Sequence, residues 1–170
     1  MYRFAVTLAV VVTLALPLES QAFAAELIAS QGIAEALPFA IPSLGLKGTL
    51  RPRAGNRLHV VTIALGEDGI EAEVRRFVLV TTAGNYEPIG AGGGADLIIP
   101  LDRLPIDREI GEILPSDAIV ALTRRSSTSV TIETGPRATL AFLYELPLTS
   151  SVRSIRLPDG RELAIAPTAQ

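Results

Sequence analysis

Apolar side chains alternate with polar or smaller ones along RATLAFLYELP, residues 137–147, more regularly than anywhere else in the chain. A period of two places successive side chains on opposite faces of a strand. The pattern therefore predicts a strand that ends at Pro147, with Phe142 and Tyr144 turned toward the core. The expected core face comprises Ala138, Leu140, Phe142, Tyr144 and Leu146, and the opposite face comprises Thr139, Ala141, Leu143 and Glu145.

Short apolar runs separated by turn residues fill the rest of the chain from Lys47 onward. The β-branched run Asn56–Leu65 ends at GEDG, and residues 70–82 follow at once, so the two segments are expected to form an antiparallel pair. Further candidate strands are residues 95–101, 116–123, 126–134, 152–157 and 161–166, the last expected to be a short edge strand. No helical period exceeds about two turns, and about seven or eight short strands predict an antiparallel sandwich or barrel.

The N-terminus has the layout of a secretory signal peptide. Arg3 precedes an uncharged, mostly apolar run over residues 4–18, and Ala22-Phe23-Ala24 supplies the small residues that signal peptidase reads. The apolar run is shorter than the ~20 residues of a spanning helix, which favours cleavage after Ala24 over an uncleaved anchor. We therefore expect a periplasmic or secreted protein with no stable membrane insertion after signal cleavage.

Composition divides the chain into four segments. They are a signal peptide (1–24), a mobile leader with an extended segment (25–46), a β-sandwich domain (47–166) and a disordered tail (167–170). Removing the signal peptide leaves the net charge of −3 unchanged, which gives no reason to expect nucleic acid as a partner. The chain has no cysteine, so its core must form without disulfides.

The order of apolar strands resembles that of the immunoglobulin-like domains of exported bacterial proteins. The segment FVLVTTAGNYEPIG carries an apolar strand, a residue-Gly turn and a Tyr, and ATLAFLYELP with VRSIRLPDGREL supplies a late strand ending in Pro and a final strand. The likeness covers roughly residues 56–166 and lacks the cysteine pair and core Trp of antibody domains. It implies a single immunoglobulin-like antiparallel β-sandwich with a binding, scaffolding or adhesion role.

Four glycines fall within the five residues Gly90–Gly94. With Ala95 they fit the loose G-x-G-x-x-A form of the dinucleotide fingerprint. That site requires a turn that opens a helix, whose N-terminal amides face the pyrophosphate. The next residues instead contain Pro100, Pro105 and a run of large aliphatic side chains, which is a poor helix. We expect a mobile connection between strands, whose glycines supply positive φ angles, and no cofactor.

Candidate catalytic and metal-binding residues are few. His59 is the only histidine and is expected to point outward from its strand. Without cysteine, a zinc or iron site would need mostly carboxylates, and no G-x-S-x-G elbow indicates a serine hydrolase. Glu67 and Asp68 lack the spacing of a calcium-binding loop, and Asp102 with Asp107 satisfies only a loose criterion for a carboxylate pair. The sequence therefore predicts no catalytic residue and no metal ligand.

Two arginine pairs and one tyrosine are the remaining polar features. Arg75-Arg76 is expected in mid-strand, with its side chains on opposite faces. Arg124-Arg125 precedes SSTS and is expected to form an exposed turn that could hold an anion or a partner carboxylate. The residues predicted to contact a partner are Tyr86, Gly92, Gly93, Arg124 and Arg125.

These features predict an exported, non-catalytic binding or scaffolding module of the cell envelope, in contact with an envelope or secreted protein. The alternative is a hydrolase or small-molecule-binding site built on the loops of the sandwich. A deep polar pocket that contains His59 and an acid would favour the enzyme. A shallow surface with apolar edge strands would favour the binding module.

Overall fold

The computed structural model describes residues 24–33, 36–41, 45–94, 98–103, 110–115, 119–125 and 129–166. These residues are all-β, with antiparallel pairing and two 3₁₀ turns, Val74–Arg76 and Leu101–Arg103. The strands are β1 (Ala25–Ile33), β2 (Leu37–Ile41), β3 (Leu46–Leu50), β4 (Asn56–Leu65), β5 (Ile70–Glu73), β6 (Val78–Thr81), β7 (Gly84–Tyr86), β8 (Gly90–Gly93), β9 (Ile99–Pro100), β10 (Ile110–Pro115), β11 (Ile119–Arg125), β12 (Val130–Thr134), β13 (Thr139–Pro147), β14 (Val152–Arg156) and β15 (Glu162–Ala164).

Both predicted terminal segments fall largely outside this description. Of the predicted signal peptide only Ala24 is described, and the predicted tail, residues 167–170, lies wholly outside the described residues. The described part of the chain contains no helix long and apolar enough to cross a membrane.

The largest sheet has five strands in the order β1-β4-β13-β8-β9. Its centre is the pair β4 and β13, which stays in register from Ala64 opposite Thr139 to Asn56 opposite Pro147. Two four-stranded sheets, β10-β11-β12-β5 and β15-β14-β6-β7, and the hairpin β2-β3 surround it. β-branched and aromatic side chains fill the central strands because they pack well on a pleated, buried surface.

The main hydrophobic core lies on one face of the five-stranded sheet and confirms the predicted inward face of β13. Phe142 and Tyr144 are completely buried. The Phe142 ring stacks on Phe77 with centroids 4.3 Å apart, and the Tyr144 hydroxyl donates a 2.9 Å hydrogen bond to the Phe77 carbonyl. Strands of both four-stranded sheets complete the cluster, with Leu79, Ile132 and Ile155 among its members. The sheets therefore pack in layers around a shared core.

A second, smaller apolar cluster covers the opposite face of the same sheet. It contains Leu58, Val60, Ile98, Ala141 and Leu143, and the hairpin β2-β3 contributes partly buried Leu37 and Leu50. Within the hairpin, the Phe39 ring lies over Gly48, where a Cβ atom would come within 2.6 Å of the ring. β4 and β13 are thus buried on both faces, which explains why their sequences are almost continuously apolar.

The predicted antiparallel pairing of residues 56–65 with residues 70–82 is wrong. At the GEDG turn the chain leaves the five-stranded sheet, and β5 pairs with β12 instead of β4. The run 70–82 is then broken by the 3₁₀ turn Val74–Arg76, after which β6 pairs with β14 in the other four-stranded sheet. Such breaks, together with strands in the leader, explain why the described residues form fifteen strands instead of the seven or eight predicted.

Arg75 and Arg76 lie in this 3₁₀ turn, which corrects the expectation that they point to opposite faces of a strand. Both are exposed. Successive side chains of a 3₁₀ turn diverge by roughly 120°, less than the ~180° of a strand, and both arginines line the same surface depression. The change of sheet therefore brings two guanidinium groups to the same surface.

The leader 25–46, predicted to be mobile, contains two strands and the start of a third. β1 pairs with β4 from Ala25 opposite Leu65 to Ile33 opposite Leu58, with one register shift between Leu27 and Ala29. The sequence pattern did not predict this strand because its apolar residues are small or separated by polar ones, so its order comes from the ladder with β4. As the edge of the five-stranded sheet, it exposes Ile28 to solvent.

The glycine stretch is a strand inside the sheet, which corrects the prediction of a mobile connection. Residues Gly90–Gly93 form β8, pair with β13 and are buried. Of the glycines in this stretch only Gly94 has a positive φ, at +80°. The reason for glycine at position 90 is close approach: a Cβ there would lie 2.9 Å from the Ile98 side chain and 3.2 Å from Leu143 Cβ. The stretch leads to β9 and not to a helix.

We expect Gly90→Ala to lower the free energy of unfolding by about 1–3 kcal/mol, because the methyl group forces neighbours apart in a packed interior. Gly32→Ala is the matched control, since a Cβ at Gly32 meets its nearest atom at 3.8 Å, an ordinary contact. Urea denaturation of both variants tests this. Equal stability of Gly90→Ala and Gly32→Ala would contradict the assignment of β8 to the buried sheet.

Candidate functional site

The structure separates the residues predicted to contact a partner. Gly92 and Gly93 are buried in β8, where they pair with Ala141 and Leu140. The mobile loop predicted at these positions is therefore a buried strand, whose backbone groups are used by the sheet. Tyr86 ends β7 and is partly buried against the main core.

Arg124 and Arg125 are the last two residues of β11, opposite Thr131 and Val130 of β12. This corrects the expectation of an exposed turn at these positions. The β-strand continues through both arginines because the ladder with β12 outweighs their polar character. Only the backbone of these two arginines is described.

A groove of about 740 Å³ lies on the surface beside the 3₁₀ turn Val74–Arg76. We call it the arginine groove. Its lining consists of Glu73, Arg75, Arg76, Val78, Glu87, Arg156, Leu157, Pro158 and Gly160. The lining combines apolar residues with side chains of both charges, which is the composition of a protein contact surface more than that of a small-molecule pocket.

Two guanidinium groups of the arginine groove are paired with carboxylates. Arg75 Nε donates to Glu73 Oε2 over 2.9 Å, and Arg156 donates through Nε and Nη2 to Glu162 Oε1 over 3.0 and 2.9 Å. The hydrogen bond from Arg75 lowers the pKa of Glu73. Hydrogen bonds from Ser154 and then Arg156 likewise lower the pKa of Glu162. Both carboxylates stay charged at neutral pH and neutralise their partners.

Unlike Arg75 and Arg156, Arg76 does not form its hydrogen bond with a carboxylate. Its Nη2 donates a 2.6 Å hydrogen bond to the carbonyl oxygen of Pro158, an uncharged acceptor. Among the described residues no carboxylate lies within ion-pair distance of Arg76. The guanidinium is therefore held in place while keeping its charge and most of its five donors for another group.

A smaller cavity of about 320 Å³ lies between the hairpin β2-β3 and the end of β13. It is lined by Phe39, Thr49, Leu50, Arg51, Arg53, Ile89, Asp102 and Glu145. Glu145 Oε1 accepts hydrogen bonds from the Arg53 backbone amide and the Asn56 side chain, at 2.7 and 2.9 Å. These bonds tie the chain before β4 to β13, so the carboxylate has a structural role.

His59 lies on the core face of β4 and is only 4% exposed, which corrects the expectation that it points outward. Its Nε2 shares a 2.7 Å hydrogen bond with the Ser30 hydroxyl of β1. Burial, and next the positive charge of Arg57, lower the pKa of His59 from 6.5 to about 4. The imidazole is therefore neutral at pH 7 and joins the edge strand to the centre of the sheet.

The Ser30–His59 pair does not have the arrangement of a hydrolase dyad. Among the described residues His59 Nδ1 has no hydrogen-bond partner, whereas a catalytic imidazole is oriented by an acid at that atom. Neither the arginine groove nor the smaller cavity is lined by His59. Nearby, Arg57 Nε and Ser150 Oγ are also buried and form no hydrogen bond with the described part of the chain.

The other candidate chemistries have ordinary structural explanations. Glu67 forms an ion pair with Arg137 over 2.7 Å, and Asp68 is exposed in the turn before β5. Asp102 ends up in the 3₁₀ turn Leu101–Arg103, whereas Asp107 lies outside the described residues. Within the described ranges, no three His, Cys, Asp or Glu side chains are grouped so that they could hold a metal ion.

Comparison of the chain with protein-family models, with curated proteins and with solved structures found no match. Its function must therefore be argued from its own residues. The arginine groove was missed in the sequence because its lining comes from three separate segments, residues 73–78, Glu87 and residues 156–160. The one available signal was the Arg75-Arg76 pair, which the strand assignment placed on two faces.

Proposed function

We propose that this protein is an exported, non-catalytic binding module of the cell envelope, with an immunoglobulin-like β-sandwich fold, and that it contacts a protein partner through the arginine groove. The observation that carries the proposal is Arg76, an exposed guanidinium held by the Pro158 carbonyl with no carboxylate partner among the described residues. Arginine is among the residue types enriched at interface hot spots. A partner segment with an acidic side chain fits this arrangement.

Other residues of the groove support the same proposal. Val78 and Leu157 contribute apolar atoms to its lining, and Glu87 contributes a carboxylate. The neighbouring Tyr86 pairs with Leu79 across β6 and β7, so the predicted contact tyrosine lies next to the groove. Because the groove carries charges of both signs, a partner segment must place its own charges at matching positions, and a suitable net charge alone is not sufficient.

The alternative class is a hydrolase or small-molecule site on the loops. Neither described cavity is lined by a nucleophile together with a base and an orienting acid. Among the described residues, the serine–histidine pair lies within the sheet, between β1 and β4. These observations favour the binding module.

We expect a photo-crosslinking amino acid at Glu87, introduced into the full chain in its native cells, to yield one discrete protein adduct. Arg76→Glu should weaken that adduct at least tenfold, because it places a carboxylate where the partner's acidic group binds. Immunoblotting after irradiation measures the yield.

Arg153→Glu is the matched control, since Arg153 is exposed on β14 but does not line the groove. It makes the same charge change and should leave the adduct intact. An adduct that survives Arg76→Glu, or one that Arg153→Glu removes equally, would contradict the assignment of the groove.

A further inference from the structure

We propose that folding of this domain masks its own signal-cleavage site, so that signal peptidase must cut the Ala24–Ala25 bond before β1 docks onto β4. The inference rests on the export part of the proposed function, and it adds an order of events to it. Its basis is the position of that one peptide bond within the folded structure.

The Ala24–Ala25 bond lies at the start of the five-stranded sheet. The carbonyl oxygen of Ala24 accepts a 2.7 Å hydrogen bond from the Gly66 amide, and Ala25 is the first residue of β1, opposite Leu65. Ala25 and Leu27 also pack partly against the main core. Residues on both sides of the bond are therefore part of the ladder or in contact with it.

Side-chain contact reinforces this backbone contact. A Cβ built on Gly66 would lie 2.6 Å from the methyl group of Ala24 and 3.4 Å from its carbonyl oxygen. Gly66 is not among the glycines with positive φ, so its backbone does not itself require glycine. Glycine is needed at this position because Ala24 lies against it.

A protease cannot use a bond in this state. Proteases bind the substrate around the cut as an extended strand through its backbone groups, and they polarise the carbonyl with their own donors. Hydrolysis adds one water across the Ala24–Ala25 amide, leaving a carboxylate on Ala24 and an amino group on Ala25. In the folded domain the Ala24 carbonyl already bonds Gly66, so the start of β1 must open first.

Two outcomes follow for a newly exported chain. A chain that is cut before β1 docks is released, whereas one that folds first keeps its apolar N-terminal segment. Because β1 begins at Ala25, immediately after the cut, the second form would hold the domain directly at the membrane surface. The relative rates of folding and cleavage set the ratio of the two forms.

Gly66→Ala weakens the contact that protects the Ala24–Ala25 bond without changing the cleavage motif. The substitution pushes Ala24 away from the sheet while residues 22–25, which the peptidase reads, stay unchanged. Gly32→Ala, on β1, is the matched control, since a Cβ there meets His59 Nδ1 at a normal 3.8 Å. After cleavage has removed Ala24, the methyl group added by Gly66→Ala no longer contacts it. The cleaved wild type and the cleaved Gly66→Ala protein should therefore have equal melting temperatures.

The test uses the full-length chain, folded in detergent micelles and incubated with purified signal peptidase, with intact mass recorded over time. We expect the Gly66→Ala chain to be cut at least tenfold faster than the wild type, and Gly32→Ala to be cut as slowly as the wild type. Far-ultraviolet circular dichroism before the reaction confirms that each chain is folded.

Cleavage of the folded wild type as fast as Gly66→Ala would overturn the masking inference but leave export intact. Absence of any cut between Ala24 and Ala25 in all three chains would overturn it as well, because the site itself would be wrong. Export is read independently from the mass of the protein in native cells, where a chain that starts at Ala25 is expected.

Discussion

Phe142→Ala is expected to lower the free energy of unfolding by about 3–5 kcal/mol, a large share of the total stability of a domain of this size. Phe142 is completely buried at the centre of β13, between Val61 of β4 and Ala91 of β8. Its ring stacks on Phe77 at 4.3 Å with 22° between the planes. The substitution removes that stacking and leaves a cavity where three strands meet Phe77.

The measurement is urea denaturation monitored by circular dichroism at neutral pH. Leu148→Ala serves as the control, because Leu148 is 58% exposed and makes its hydrogen bond to Gly55 through the backbone. It should change the stability by less than about 0.5 kcal/mol. A Phe142→Ala protein as stable as Leu148→Ala would mean that the main core does not lie on this face of β13.

His59 is expected to make the protein less stable as the pH falls from about 6.5 to about 4. The folded protein binds a proton at this residue only near pH 4, because burial and then the charge of Arg57 lower its pKa from 6.5. Between these values the unfolded chain binds more protons than the folded one, so stability decreases with falling pH. The total change is about 3 kcal/mol, present in full above pH 6.5 and lost below pH 4.

The groups that face His59 are consistent with a lowered pKa of its imidazole. Ser30 of β1 shares the hydrogen bond at Nε2, Arg57 lies two residues away on β4, and Tyr144 is opposite on β13. Burial raises the pKa of Tyr144 well above 10, so its hydroxyl is neutral throughout this range. No acid therefore stabilises the protonated imidazole from the described elements that surround it.

Comparison of the wild type with His59→Gln isolates the effect. Gln cannot titrate but keeps a polar group near Ser30, so its stability should depend less on pH between 6.5 and 5. Glu73 and Glu162 do not interfere in that window, because hydrogen bonds from Arg75 and from Ser154 lower their pKa values from 4.5. Parallel stability curves for the two proteins, measured by urea denaturation at each pH, would exclude His59 as the cause.

The sequence by itself determined the all-β class and the inward face of β13. Both follow from local periodicity, because side chains two residues apart on a strand always share a face. The same reasoning located the last strand, β15, at the edge of its sheet, since only a few of its residues are apolar.

Partners of the strands were decided by the tertiary structure alone. The GEDG turn has the composition of a hairpin, yet β4 pairs with β1 and β13, and β5 pairs with β12. Local composition determines how the chain turns, whereas pairing depends on which distant strand offers a matching buried face. The glycine strand β8 shows the same limit, because its order comes entirely from its neighbours β13 and β9.

The arginine groove and the environment of His59 also depend on distant contacts. Arg76 acquires its position from Pro158, 82 residues further along the chain, and His59 is buried with its ring bonded to Ser30, 29 residues before it. The hydrophobic period and the composition of a segment describe residues that are close together in the chain, so neither predicts contacts over such separations. The sequence could therefore specify which charges the protein has, but only the packing of the sheets decided which of them are paired, buried or left available to a partner.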